Sequence, residues 1–187
     1  MEITALGIEG SWLAQSPLWS DQRGFFREWF KSDDIEKMTG RSFGTEQANI
    51  SQSSKGTVRG IHYSIAEKGQ AKWITCVTGS IRDFVVDIRP SSSTFGKWIE
   101  IELTADSGKA VLIGEGLGHA FVSLEDKTTV AYLVSTPFSP NDEFEINPLD
   151  PEIGINWGLD IADLKISDKD KNAPTLAERL SEGKLPK

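Results

Sequence analysis

The chain has one cysteine and two histidines in 187 residues, and these scarcities narrow its chemistry. A lone Cys76 excludes an intramolecular disulfide framework and any multi-cysteine zinc site. No apolar run approaches the ~18 residues of a membrane span. The start, Met1-Glu2-Ile3-Thr4-Ala5, lacks the basic segment and apolar core of a secretory signal. These absences predict a cytoplasmic chain with no membrane partner. Basic residues are outnumbered too: 20 Lys and Arg against 28 Asp and Glu give a formal net charge of −8. That argues against a nucleic-acid partner, whose recognition needs clustered Lys and Arg. Two or three placed cations would still serve a small diphosphate.

Familiar motifs are missing as well. The run Gly114-Glu115-Gly116-Leu117-Gly118 has the wrong glycine spacing for a dinucleotide fingerprint, and there is no P-loop. No GxSxG elbow supports a serine hydrolase. A β-barrel metal site normally needs three or four ligands, yet no His-x-His pair exists and position 64 is Ser64. By elimination, chemistry has to come from side chains alone.

What is present reads as β. With 38% hydrophobic and 26% charged residues, the chain suits one globular domain spanning residues 1–187. Short β-like runs fall at 25–30, 45–51, 57–63, 72–78, 81–88, 98–103, 109–113, 120–124 and 128–135, with turn residues between them. In the first of these, Phe26, Glu28 and Phe30 would share one face. Strands recurring roughly every ten residues predict a mostly β sandwich or barrel rather than a βαβ fold. Helices are expected at 32–39, stopped by Gly40, and at about 175–180. Residues from about 171 to 187 read as a peripheral C-terminal tail, loose in the polar stretch after that second helix.

Both histidines lie in glycine-containing runs, His62 in Thr57-Val58-Arg59-Gly60-Ile61-His62-Tyr63 and His119 just after Gly118. Histidine is the side chain best suited to moving protons near neutral pH. On an ideal strand, however, Arg59 and His62 point to opposite faces, so they reach one ligand only if Gly60 marks a bulge or strong twist. The competing reading is a satisfied core histidine beside a surface arginine. Lys72 shares a strand face with Ile74 and Cys76, so its ammonium either points inward or, more plainly, reaches solvent at the strand end. Asp83 and Asp87 flank Val85 on one face, an inward charge pair in prospect. Tyr132 between Val130 and Val134 reads as a core tyrosine with its hydroxyl at a rim.

Together these blocks resemble the dTDP-4-dehydrorhamnose 3,5-epimerase family, closest to its actinobacterial-type branch, from Asp21 to Pro174. The resemblance is carried by Asp21-Gln22-Arg23-Gly24-Phe25-Phe26 with Glu28, Gln47-Ala48-Asn49-Ile50-Ser51, Arg59-Gly60-Ile61-His62-Tyr63 and Gln70-Ala71-Lys72. It continues in Asp87-Ile88-Arg89, Ser93-Thr94-Phe95-Gly96, Glu115 to Phe121, Tyr132, Glu143, Asp150-Pro151, Trp157 and Ser167-Asp168-Lys169-Asp170. The resemblance implies a cupin-like jelly roll, a homodimer exchanging N-terminal strands, and no cofactor or metal. The implied substrate is a dTDP-linked 4-keto-6-deoxyhexose, inverted at C3 and C5 through an enolate. By resemblance, His62 is the general base oriented by Asp170, Lys72 stabilises the enolate oxygen, and Tyr132 is the acid on the opposite face. Arg59, and Arg23 of a partner subunit, would neutralise the diphosphate. Glu28, Gln47, Asn49, His119, Glu143 and Lys169 match further substrate contacts.

The sequence departs from the family pattern at several positions. Phe138 stands where many members have Tyr, Gly114 replaces a usual Pro, Ser64 replaces a common Gln, and small residues are exchanged at Gly118 and Ala120. Other readings of the same residues are a single-centre epimerase, a 3,4-ketoisomerase, a non-catalytic sugar-nucleotide-binding cupin and a metal-dependent dioxygenase.

Overall fold

The computed structural model describes residues 1–186. Thirteen strands appear among them: β1 (Glu2–Ala5), β2 (Ser11–Gln15), β3 (Trp19–Asp21), β4 (Gly24–Phe26), β5 (Gln47–Ser53), β6 (Val58–Ser64), β7 (Lys72–Thr78), β8 (Ser80–Asp87), β9 (Trp98–Thr104), β10 (Lys109–Ile113), β11 (Leu117–Ser123), β12 (Thr128–Val134) and β13 (Glu143–Glu145). Three short helices, α1 (Ser32–Thr39), α2 (Asp168–Lys171) and α3 (Leu176–Ser181), lie outside the sheets. Six strands in the order β1-β2-β10-β7-β12-β5 make one sheet, and five in the order β13-β6-β11-β8-β9 make the other. The strands pair antiparallel, and the two sheets face each other as a cupin-like jelly roll. No helix among the described residues is long and apolar enough to cross a membrane.

Strand alternation accounts for the layers. Inward residues Ile74 and Cys76 of β7, Ile81 and Val85 of β8, Val111 and Ile113 of β10, and Phe121 of β11 fill the space between the sheets. Outward residues need their own cover. On the six-stranded sheet, Trp73, Leu112 and Leu133 pack under Ile35 of α1 and Phe43. On the five-stranded sheet, Phe84 meets Trp98 and Trp157 edge-on at 5.6 and 5.0 Å, beneath the C-terminal segment. Fully burying each such side chain is worth ~1.5–3 kcal/mol against leaving it exposed.

Most of the predicted strands are present within a residue or three at either end. Two expectations fail. The run 25–30 is strand only to Phe26, because the chain then turns so that Trp29 and Phe30 reach the outer face of the six-stranded sheet. There Phe30 packs edge-on against Phe43 and Trp73, and the Trp73 indole N–H donates to the Trp29 carbonyl at 2.8 Å. The C-terminal segment is not loose: Leu185 is buried, and the Tyr63 hydroxyl donates to the Lys184 carbonyl at 2.8 Å. The helix ends match their signals. Gly40 closes α1 at φ 71°, and Thr175 with Glu178 forms a reciprocal capping box on α3.

Strand β6 carries the decisive irregularity. Opposite it on β11, His119 faces His62 and Phe121 faces Arg59, so two residues on β11 span three on β6. The extra residue is a bulge at Gly60, and it reverses the alternation. Val58, Ile61 and Tyr63 all point into the outer core, leaving Arg59 and His62 together on the inner face. Gly60 has φ +121°, and a Cβ there would lie 2.5 Å from the His119 carbonyl oxygen and 2.6 Å from the Ala120 Cβ. We expect Gly60→Ala to cost roughly 3 kcal/mol or more in urea unfolding, combining backbone strain with overpacking. A loss under ~0.5 kcal/mol, the size of an ordinary surface change, would contradict this account of the bulge.

Candidate active site

Between the sheets lies a cavity of about 360 Å³ lined by Gln47, Asn49, His62, Gln70, Lys72, Tyr132, Val134, Phe138, Glu143, Phe144 and Lys169. Its two walls come from different sheets. His62 and Glu143 stand on β6 and β13, whereas Lys72, Tyr132, Gln47 and Asn49 stand on β7, β12 and β5.

His62 is held from behind. Its Nε2 lies 2.8 Å from Asp170 Oδ1, and Asp170 is 4% exposed. Ser167 caps α2, its hydroxyl accepting the Asp170 N–H at 3.1 Å, which fixes this carboxylate beneath the imidazole. Burial works against the Asp170 charge, but hydrogen bonds from His62, Ser167 and the Gly60 N–H hold its carboxyl below the usual range. An ionised carboxylate only accepts, so Nε2 carries the proton and Nδ1 is left as the basic nitrogen.

Lys72 points inward and is 8% exposed, so the plainer strand-end reading does not hold. Burial lowers its pKa, with Glu143 and Asp83 opposing that shift through space. Glu143 is pushed up by burial and restrained by Lys72, Gln70, His62 and Lys169. The Tyr132 phenol is raised by burial and drawn back by the Arg59 guanidinium. On β5, the Gln47 amide donates to Asn49 Oδ1 at 2.7 Å and its carbonyl accepts the Phe138 N–H at 3.0 Å, fixing two lining residues with one side chain.

The remaining expected site residues fall into three places. Arg59 shares the inner face with His62 but stands outside the cavity lining, donating to Ser53 Oγ at 3.1 Å and the Gln52 carbonyl at 3.2 Å. His119 sits beside His62 on the neighbouring strand, its Nε2 2.7 Å from Asp83 Oδ2. Arg23 and Glu28 do not line the cavity of their own chain; Arg23 projects from the β3–β4 hairpin at 90% side-chain exposure and pairs with Asp21. Asp83 and Asp87 do not form a pair: Asp87 binds Arg89, Ser92 and Thr94, whereas Asp83 serves His119. The sequence assigned no site role to Gln70, Val134 or Phe144, and read Asp83 only as half of an inward charge pair. For Asp83 the inward face of β8 was the available signal. No group of three or more His, Cys, Asp or Glu arranged to hold a metal ion occurs among the described residues.

Residues 5–178 match the family model described as dTDP-4-dehydrorhamnose 3,5-epimerase. The chain belongs to this family. Its members are epimerases, a class of isomerase. A dTDP-4-dehydrorhamnose 3,5-epimerase from Mycolicibacterium smegmatis is 42% identical over 186 residues, covering 100% of this chain and 91% of the relative. Among solved structures, the Mycobacterium tuberculosis rmlC epimerase superposes with a TM-score of 0.96 at 37% identity, covering 100% of this chain and 94% of that one. ChmJ from Streptomyces bikiniensis, a 3′-monoepimerase solved in complex with dTDP-quinovose, gives 0.93 at 44% identity, covering 97% and 91%.

Asp170→Asn tests the electrostatics of this site without removing its shape. The Asp170 pKa is depressed on folding, so its stabilising contribution is complete above the unfolded value of ~3.9 and is lost as pH falls through the folded value. The stability difference between wild type and Asp170→Asn, measured by urea titration, is therefore expected to be large near neutrality and to shrink below about pH 4. A difference independent of pH down to about 2, past the ordinary carboxylate range, would contradict the assignment.

Proposed function

We propose that the chain inverts C3 and C5 of dTDP-4-dehydro-6-deoxy-D-glucose, giving dTDP-4-dehydro-L-rhamnose without a cofactor or metal. The observation that carries this reading is the placement of an oriented imidazole and a phenol on opposite walls of one cavity, with a buried ammonium on the phenol's wall. A ketone at C4 acidifies the hydrogens on C3 and C5. His62 Nδ1 takes a proton from one of these carbons, and the electron pair moves onto O4. The Lys72 ammonium offsets the charge that develops there, which is worth most in a dry site. Tyr132 then returns a proton to the same carbon from the opposite wall, so the centre is inverted rather than merely exchanged. Once solvent has taken the proton from His62 and returned one to Tyr132, the same cycle at the other carbon completes the product. Gln47, Asn49, Glu143 and Lys169 line the substrate's cavity, and Arg59 and His119 stand next to it.

The diphosphate lies, in this reading, toward Arg59 and toward Arg23 of a second subunit. Support for that dimer comes from the β3–β4 hairpin, where Trp19, Phe25 and Phe26 are 51%, 53% and 66% exposed and Arg23 does not line the His62 cavity of its own chain. Large aromatics in one exposed patch mark an interaction surface. We place the enzyme in the cytoplasm, where its one cysteine, buried and raised to about 11 by burial, stays an unreactive thiol.

Incubating the substrate in D₂O is expected to place deuterium at both C3 and C5. Uptake at neither carbon would overturn the reading, and uptake at C3 alone would favour the single-centre activity named for ChmJ. His62→Ala should lower exchange at both positions by at least ~10²-fold. Tyr132→Phe should impair inversion more than exchange, because only the second-face protonation needs the phenol; equal loss of both would reassign the acid. For the dimer, mixing Arg23→Ala with His62→Ala subunits is expected to restore activity that neither has alone. Absence of recovery after subunit exchange would place Arg23 outside the partner's site.

A further inference from the structure

Glu143 lines the cavity, and among the described residues one side-chain hydrogen bond holds its carboxylate. It sits at the start of β13, a three-residue strand whose strand pairing among the described residues is with β6 alone. It shares the cavity with Lys72 on β7, His62 on β6, Lys169 beside Asp170 on α2, and Tyr132 on β12, and these charges act on one another through space. Two of those groups are already engaged elsewhere: Lys169 pairs with Glu145 at 2.9 Å, and His62 with Asp170. The hydrogen bond to Glu143 comes instead from Gln70, whose Nε2 donates to Glu143 Oε1 at 2.9 Å.

Gln70 is itself fixed. It is 8% exposed, and its Nε2 donates also to the Thr136 carbonyl at 2.9 Å, so both amide protons are used. The segment around it is tied down on either side, by Thr136 Oγ1 donating to the Gly69 carbonyl at 2.7 Å and by the Ala71 N–H donating to Ser135 Oγ at 2.8 Å. One primary amide therefore bridges the end of β12 to β13 across the cavity, two residues before Lys72.

We propose that Gln70 is a positioning residue of the epimerase, using its amide to hold the Glu143 carboxylate ionised in the cavity that Lys72 also lines. The inference rests on the reading above, in which Lys72 offsets charge on the enolate oxygen. A buried ammonium loses its proton readily unless an anion faces it. A neutral Glu143 would leave Lys72 to bear the cost of burial with Asp83 as its remaining acidic neighbour. A donor to the ionised form of a carboxyl lowers its pKa, and a charge-assisted bond of this kind corresponds to about one pH unit or more. Gln70 thus acts on the reaction through two intermediaries, without itself needing to touch the reacting carbons.

The test is a carboxyl ¹³C NMR titration of the substrate-free protein, with Glu143→Gln assigning the resonance, combined with the pH profile of kcat. In Gln70→Met, which keeps the length and removes both donors, the Glu143 midpoint should rise by about one unit, and the acidic limb of kcat should rise with it. Gln70→Glu provides a second variant that retains a polar contact to Thr136; two carboxyls sharing a proton should raise the midpoint at least as far. An unchanged Glu143 midpoint in both variants overturns the proposal. So does a raised midpoint with an unmoved kcat limb, since Gln70 would then be structural. If the wild type showed no turnover, the epimerase reading would fall, and the Glu143 midpoint alone would still decide whether Gln70 sets that charge.

Discussion

A positive charge lies between two β-sheets, and much of the surrounding arrangement follows from what that costs. Lys72 occupies an inward position on β7, in register with the apolar positions Ile74 and Cys76, where most strands would place another aliphatic side chain. An ammonium there is disfavoured unless anions face it. Two carboxylates do so, Glu143 from β13 and Asp83 from β8. Each is secured in turn, Glu143 by the Gln70 amide and Asp83 by the His119 imidazole. One oxygen of Asp83 remains buried without a hydrogen-bond partner, a cost that a purely structural core would not retain without compensation.

The division of the site between two sheets gives it its stereochemical capacity. A base and an acid on one wall could remove and return a proton only on one face of a flat enolate. Here His62 belongs to the five-stranded sheet and Tyr132 to the six-stranded one, and both line the same cavity. Sheet packing, which holds opposing inner faces about 10 Å apart, leaves room for a sugar ring between the two groups. In the proposed reaction the fold therefore supplies the two-sided access that inversion requires, with His62 and Tyr132 as the two groups.

The C-terminal segment finishes the wall that β6 begins. Asp170 on α2 holds the imidazole, and α3 holds β13: buried Arg179 donates to the Glu145 carbonyl at 2.9 Å and lies 5.2 Å over the Phe144 ring. The Lys184 ammonium approaches the same ring at 5.3 Å, while the Lys184 carbonyl accepts from Tyr63. These contacts act on β13, whose strand pairing is too short to fix Glu143 by itself.

Much was legible in the sequence because it is local. Alternation along 72–78 and 128–134 set which residues of β7 and β12 face inward, and Gly40 and Thr175 marked helix ends through backbone and capping chemistry. The blocks around Arg59, His62, Lys72 and Tyr132 were enough to indicate the family. What the sequence could not decide depended on distant partners. Whether Gly60 bends the strand rests on its register against His119 and Phe121, nearly sixty residues away in the chain. Whether Lys72 turns inward rests on carboxylates from two other strands, and whether the C-terminal segment packs rests on Tyr63 and Phe144. The residues alone determined which groups were available for proton transfer. Only the tertiary structure decided that they meet, because an extra residue in one strand and a charge between two sheets are settled by what lies across from them.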